Sequence, residues 1–158
     1  MGLYPDDVKN YITKHFPIIF GIARLCPTFL MGGALRDLKL EKTPKDLDFV
    51  CLDNANVIEL CIKRFGLKYE LNKLGGYKIY WNDSVIDLWR TDDLFTCVEY
   101  NIDGLFYDVA NNYFLSFGYY EALRKGLVKI NQDNNVENKE KLALRRKKLE
   151  EYLATVKK

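Results

Sequence analysis

Two aspartates one residue apart, in the run Lys45-Asp46-Leu47-Asp48-Phe49-Val50, are the groups of this 158-residue chain best suited to hold a hard divalent cation. The run alternates as a strand does, which puts both carboxylates on one face and Leu47 and Phe49 on the other. Upstream, the apolar segment Thr28 to Met31 runs into Gly32-Gly33, a turn where backbone can approach a ligand closely, and twelve residues separate Gly33 from Asp46. Ala34 to Leu40 has helical spacing, so amide N–H groups at its start can hold a triphosphate while Arg36 adds a planar positive fork. An Asp-x-Asp pair alone also fits an ordinary half-exposed strand. Joined to a phosphate-sized turn, it describes a nucleotidyl-transfer site.

The combination of Gly32-Gly33-Ala34-Leu35-Arg36-Asp37 and Lys45-Asp46-Leu47-Asp48-Phe49 is similar to the signature of the DNA polymerase beta-like nucleotidyltransferase superfamily. More closely, it resembles the head domain of class II tRNA nucleotidyltransferases (CCA-adding enzymes) and bacterial poly(A) polymerases, written Gly-Gly-x-x-Arg-Asp, a few polar residues, then Asp-x-Asp. The resemblance implies that Val85-Ile86-Asp87-Leu88-Trp89-Arg90 is the family's third strand, bringing Asp87 and Arg90 toward the first two carboxylates. It weakens over Val98 to Asp108: Val98 stands at the family's arginine position, Glu99 at its aspartate and Asp103 at its asparagine, while Leu105 to Asp108 keeps the pattern. The family's neck motif, Glu-Asp-x-x-Arg, has only a loose echo in Glu140 and Arg145.

The resemblance implies a metal-dependent transfer of a nucleoside monophosphate from an NTP, ATP or CTP, to an acceptor hydroxyl, with release of pyrophosphate. The acceptor it implies is an RNA (tRNA-like) 3′ end, which would make the protein a tRNA-processing enzyme. Asp46, Asp48 and Asp87 would be the catalytic and metal-holding residues; Gly32, Gly33, Arg36, Lys45 and Arg90 would bind the nucleotide; Asp37 would orient the loop. Two Mg2+ ions, with Mn2+ as the alternative, suit such a site because they take few protein oxygens plus phosphates. The competing expectations are a nucleotidyltransferase that modifies a protein or small molecule, and a nucleotide-binding module without turnover. No histidine is required; His15, the single one, falls in an N-terminal helix where it packs or meets solvent.

These residues need a scaffold, and the chain predicts an α+β nucleotidyltransferase head fold, a small mixed antiparallel and parallel sheet backed by helices, as one domain over 1–158. Pro5, Asp6 and Asp7 open a helix with Val8, Tyr11, Ile12 and Phe16 on one face, stopped by Pro17. Ile18 to Cys26 forms a second helical stretch. Asp53 to Phe65 forms a third, with Val57, Leu60, Cys61 and Phe65 toward the core. Lys68 to Leu74 and Tyr77 to Asn82 alternate around Gly75-Gly76, the pattern of a two-residue hairpin, and Asp83 turns the chain into the Asp87 strand.

At 48% hydrophobic and 14% aromatic content the chain can bury a core without disulfides. Cys26, Cys51, Cys61 and Cys97 lack C-x-x-C spacing and read as buried reduced thiols of a cytoplasmic protein. The start MGLYPDDVKN is not a signal peptide, and no apolar run approaches membrane-spanning length. The net charge of +2 conceals an asymmetry: 137–158 carries eight Lys or Arg against four Glu, the rest sixteen against eighteen. An Asn134/Glu137 capping pair and the stripe Leu142, Leu149, Tyr152, Leu153, Val156 predict a docked helix over 137–158. Its basic outer face, Arg145-Arg146-Lys147-Lys148, is a solvated surface in the first reading and an RNA contact in the second.

Overall fold

Among the described residues, alternation of apolar and polar side chains is realised in seven strands. They are β1 (Thr28–Met31), β2 (Asp46–Leu52), β3 (Lys68–Leu71), β4 (Tyr77–Trp81), β5 (Ser84–Thr91), β6 (Leu105–Asp108) and β7 (Tyr113–Ser116), bonded in the order β3-β4-β5-β2-β1-β6-β7. The computed structural model describes residues 2–53, 56–72, 75–131 and 139–156. The β2–β5 pair is parallel and the other pairs are antiparallel. A parallel pair needs a long return, and here it runs through a helix and the β3–β4 hairpin.

The helices are α1 (Pro5–His15), α2 (Ile19–Ala23), α3 (Gly33–Lys39), α4 (Val57–Arg64), α5 (Tyr119–Lys125) and α6 (Lys139–Val156). Leu47 and Phe49 of β2, Ile86 and Leu88 of β5 and Ile79 of β4 pack in one core with Val8 and Ile12 of α1, Ile58 and Ile62 of α4, and Leu149 and Leu153 of α6. Each such side chain taken fully from water contributes roughly 1.5–3 kcal/mol. The opposite face carries a smaller cluster, Phe29, Val50 and Phe106 beneath Leu94 and Val98. The alternate residues of β2 and β5, the carboxylates among them, belong to this second face. No helix among the described residues is long and apolar enough to cross a membrane.

Several expected elements shift. Both carboxylate oxygens of Asp53 accept the Val57 and Ile58 N–H groups at 3.0 Å, so Asp53 anchors α4 from outside it. That anchoring sets the helix so that Ile58, Cys61 and Ile62 turn inward, while Leu60 is 65% exposed and Phe65 42%. Of the expected stripe, Cys61 is buried and Val57 packs against the core, while Leu60 and Phe65 face outward and Ile58 and Ile62 take their place. The strands end at the paired Leu71 and Tyr77, with the Asn72 N–H donating to Gly76 O at 2.9 Å, so Gly75-Gly76 is not a two-residue turn between them. The two-residue turn is Asn82-Asp83, between the paired Trp81 and Ser84, with Asn82 at φ 51°. The proposed Asn134/Glu137 cap lies outside the described residues. Strand β7 and helix α5 lie where no element was expected, since Leu115 and Ala122 sit in stretches without clear periodicity.

Gly104 links the turn at Asn101–Asp103 to β6, at a φ of −82° open to any residue. A Cβ there would meet the Phe117 carbonyl carbon at 2.7 Å and the Asn101 carbonyl oxygen at 3.1 Å. The Phe117 N–H also donates to Gly104 O at 2.7 Å, so this backbone cannot withdraw. Gly104→Ala is expected to cost about 1–3 kcal/mol in urea unfolding, as overpacking does. Unchanged stability would mean that the two segments can part.

Candidate active site

The parallel register of β2 and β5 makes Asp48 and Asp87 direct partners and sets Asp46 opposite Val85. All three carboxylates therefore lie on one face, with Asp46 at the exposed start of β2 and Asp48 half-buried beside Asp87. Asp48 and Asp87 face each other directly across the two strands, and both carboxyls are shifted toward holding a proton. Burial, then the charges of Asp87 and Asp46, push the Asp48 carboxyl up to about 7, against a hydrogen bond from the Trp89 indole that favours the anion. Burial also raises Asp87, opposed by the facing Asp48 carboxyl and by the nearby Lys78 ammonium.

Lys78 is the partner of Asp87 on β4, and Glu70 of β3 is the partner of Lys78, so a row Glu70-Lys78-Asp87-Asp48 crosses four strands. Sequence reasoning missed Lys78. Its one signal was its place between Tyr77 and Ile79, both buried, which forces it onto the other face.

On the other side of β2, Met31 of β1 pairs with Asp48, so the chain leaves β1 at Gly32 beside the Asp46 end of the sheet. Gly32 adopts φ 75° and ψ −141°, a backbone that L side chains rarely adopt, although a Cβ would meet nothing within 4 Å. The glycine is thus required by the turn's conformation and not by crowding. Arg36, on α3, curls back: its Nη2 lies 3.8 Å from the position a Gly33 Cβ would take, and its Nη1 donates to Asp103 Oδ1 at 3.0 Å. Lys45 is exposed immediately before β2.

Arg90 is not brought to this group. Three residues from Asp87 on one strand, it faces the opposite side, where its Nε donates to Asp53 O at 3.3 Å and lies 3.8 Å from Asp53 Oδ2. It lines a separate polar cavity of about 240 Å³ with Asp53, Gly75, Trp89, Thr91 and Asp92.

The donor set suits a hard cation. It is all oxygen, and burial with the negative charge of its neighbours raises the proton affinity of Asp48, a local demand for positive charge. Among the described residues no three potential ligand side chains converge on one point, so the arrangement is a facing pair with Asp46 on the same face.

A second charged cluster closes the far side of α3. Asp103 is 4% exposed and accepts from Arg36, from both directions of the Arg145 Nη2 (3.2 Å to each oxygen) and from the Tyr100 N–H at 3.0 Å. Arg145 Nε also lies 2.9 Å from Glu99 Oε2. Burial disfavours the Arg145 charge, but Asp103 and Glu99 outweigh it and hold the guanidinium above its usual value. Arg145 therefore does not belong to the outer face of α6 where its sequence context put it. It falls one turn before Leu149 on the docked face, and Arg146 pairs along the helix with Glu150 at 3.4 Å.

No protein-family model matches the sequence, and no curated protein matches it. Solved structures share its fold. A tRNA-processing enzyme in an apo form is similar at TM-score 0.59 and 19% identity, over 72% of this chain and 35% of that one. A tRNA nucleotidyltransferase complexed with a primer tRNA and an incoming ATP analogue is similar at TM-score 0.55 and 18% identity, over 67% and 36%. The Thermotoga maritima CCA-adding enzyme complexed with tRNA is similar at TM-score 0.56 and 24% identity, over 71% and 30%. This chain spans about a third of the length of those chains. The α+β fold, a mixed sheet backed by helices, is the one it has in common with them.

Because the folded protein holds the Asp48 proton more tightly than the unfolded chain does, this group's contribution to apo stability is lost as pH rises from about 4 to about 7. Asp48→Asn should melt higher than wild type above pH 7, with the gap closing toward pH 4, and magnesium should raise the wild-type melting temperature alone. A gap that does not change with pH would contradict the coupling. Arg145→Met should cost about 1–3 kcal/mol in urea unfolding, because it strips a buried carboxylate pair of a donor. Lys147→Met, exposed on the same helix, should stay within about 0.5 kcal/mol.

Proposed function

We propose that the chain is the transferring domain of a divalent-metal-dependent nucleotidyltransferase that moves a nucleoside monophosphate from an NTP to the 3′ hydroxyl of an RNA, tRNA in the first instance. The observation that carries the reading is the in-register pair Asp48 and Asp87, with Asp46 on the same face and the Gly32-Gly33 turn opening beside them. The shared fold with tRNA nucleotidyltransferases supports it.

Asp46, Asp48 and Asp87 would hold magnesium, which when bound screens the phosphates and lowers the acceptor hydroxyl's pKa. The turn at Gly32-Gly33 offers backbone N–H groups to the β- and γ-phosphates without a side chain in the way. Arg36, fixed by Asp103 through one nitrogen, offers the other to the same phosphates, and Lys45 adds a cation at the open side. The acceptor oxygen bonds to the α-phosphorus as the bond to the pyrophosphate oxygen breaks. The hydroxyl proton passes to a carboxylate oxygen of Asp87, and pyrophosphate leaves along the glycine turn. Arg90, bound to Asp53 on the other face, takes no part.

Incubation with labelled ATP or CTP, magnesium and total cellular RNA should label an RNA 3′ end. Asp46→Asn, Asp48→Asn and Asp87→Asn should each reduce transfer by about 100-fold or more, as expected when groups stabilising transition-state charge are removed. Wild-type rates in these variants would overturn the assignment, and label in protein instead of RNA would change the acceptor.

A further inference from the structure

We infer that the outer face of β3 and β4, beside Asp87, is the surface along which the acceptor's single-stranded 3′ end reaches the site. The inference rests on the function proposed above. In an in-line displacement the attacking hydroxyl and the leaving pyrophosphate lie on opposite sides of the α-phosphorus. The glycine turn and Arg36 lie on the β1 side of β2, so the leaving group lies there and the acceptor must arrive over β5. Among the described residues the sheet continues beyond β5 as β4 and then β3.

That edge presents a definite chemistry. Tyr77 and Ile79 are buried in the main core, which leaves Lys78 and Tyr80 on the carboxylate face. Lys78 stands directly across from Asp87, and Lys68 directly across from Tyr80, which is 43% exposed. The Tyr80 hydroxyl donates to Glu70 Oε2 at 3.3 Å, which orients the ring on the surface. With strands about 4.8 Å apart, the two lysines lie roughly 5 and 10 Å from β5, a span of one to two nucleotides.

Three carboxylates repel a phosphodiester, so the last phosphate before the reacting hydroxyl needs a cation close to Asp87. Lys78 is that cation. An aromatic face beside two ammonium groups is what a single strand uses without regard to sequence, its base stacking on the ring and its phosphates meeting the charges. On α6, by contrast, Arg145 is spent on Asp103 and Glu99, and Arg146 pairs with Glu150.

The test titrates the full chain into a fluorescent single-stranded oligoribonucleotide with a free 3′ hydroxyl, without NTP, over a series of salt concentrations. Binding of Mg-ATP is measured separately by calorimetry, and folding is checked by circular dichroism. Lys78→Gln and Lys68→Gln should each weaken RNA binding about 3- to 10-fold and lower the log-log salt slope by about 0.7. Tyr80→Leu should weaken it about 5-fold or more while leaving the slope unchanged. Mg-ATP affinity should stay within about twofold in Lys68→Gln and Tyr80→Leu.

Unchanged RNA affinity and slope in all three variants would overturn the inference. So would losses confined to Lys147→Gln and Lys148→Gln on α6, or a wild type that binds Mg-ATP but no RNA, which would point to a protein or small-molecule acceptor. RNA effects as expected in a wild type that binds no Mg-ATP would uphold this surface and remove the nucleotide reading instead.

Discussion

Two carboxylates held side by side by a parallel strand register are the constraint around which this molecule is arranged. At about 4 Å, two unit negative charges repel by about 4 kcal/mol in a medium of effective dielectric near 20. The protein accepts this because Asp48 and Asp87 lie on the strands best secured elsewhere, with Leu47, Phe49, Ile86 and Leu88 buried on their other face. Without a cation the repulsion and the burial raise the proton affinity of both carboxyls, with Lys78 beside Asp87 and the Trp89 indole beside Asp48 as compensation. A fold that spends stability in this way retains a strong local demand for positive charge.

The second charge centre does the reverse. Asp103, nearly fully buried, is fully supplied with donors: Arg36 from α3, Arg145 from α6 and the Tyr100 N–H. A buried ion pair of this kind adds little net stability, since desolvation offsets much of the attraction, but losing one partner is costly. Its consequence is geometric. It joins the helix that follows the glycine turn to the C-terminal helix, so the guanidinium beside Gly33 is held by residues far away in sequence. The hydrophobic seam of Leu149, Tyr152 and Leu153, with the Tyr119–Tyr152 hydroxyl bond at 2.7 Å, keeps α6 in place for it.

The sheet thereby divides its two faces. One carries the helices and most of the apolar core; the other carries a small cap of Leu94 and Val98 over Phe29, Val50 and Phe106, and leaves the carboxylate end open. Period-two alternation is what lets one strand serve both, because each inward Leu or Phe forces its neighbour outward. Arg90 illustrates the rule from the other side, since its odd spacing from Asp87 sends it to the Asp53 face.

The sequence by itself determined what is local. Thr28 to Met31 as a strand, the glycine turn, the shared face of Asp46 and Asp48, and the amphipathic first helix all follow from neighbours in the chain, where backbone sterics and alternation decide. Asp87 was reachable through resemblance of its strand to a known pattern. Tertiary structure decided everything that depends on which distant segments meet. The pairing of Asp48 with Asp87, and of Asp87 with Lys78, is set by strand register, which no single strand encodes. The inward turn of Arg145 follows from where Asp103 lies, although its own neighbours suggested a basic outer face. The α4 face was only partly legible, since Val57 and Cys61 do meet the core but Ile58 and Ile62, as apolar as Leu60 and Phe65, are the ones the bonds from Asp53 turn inward. Local patterns fix the face a residue takes on its own element; only packing fixes what that face meets.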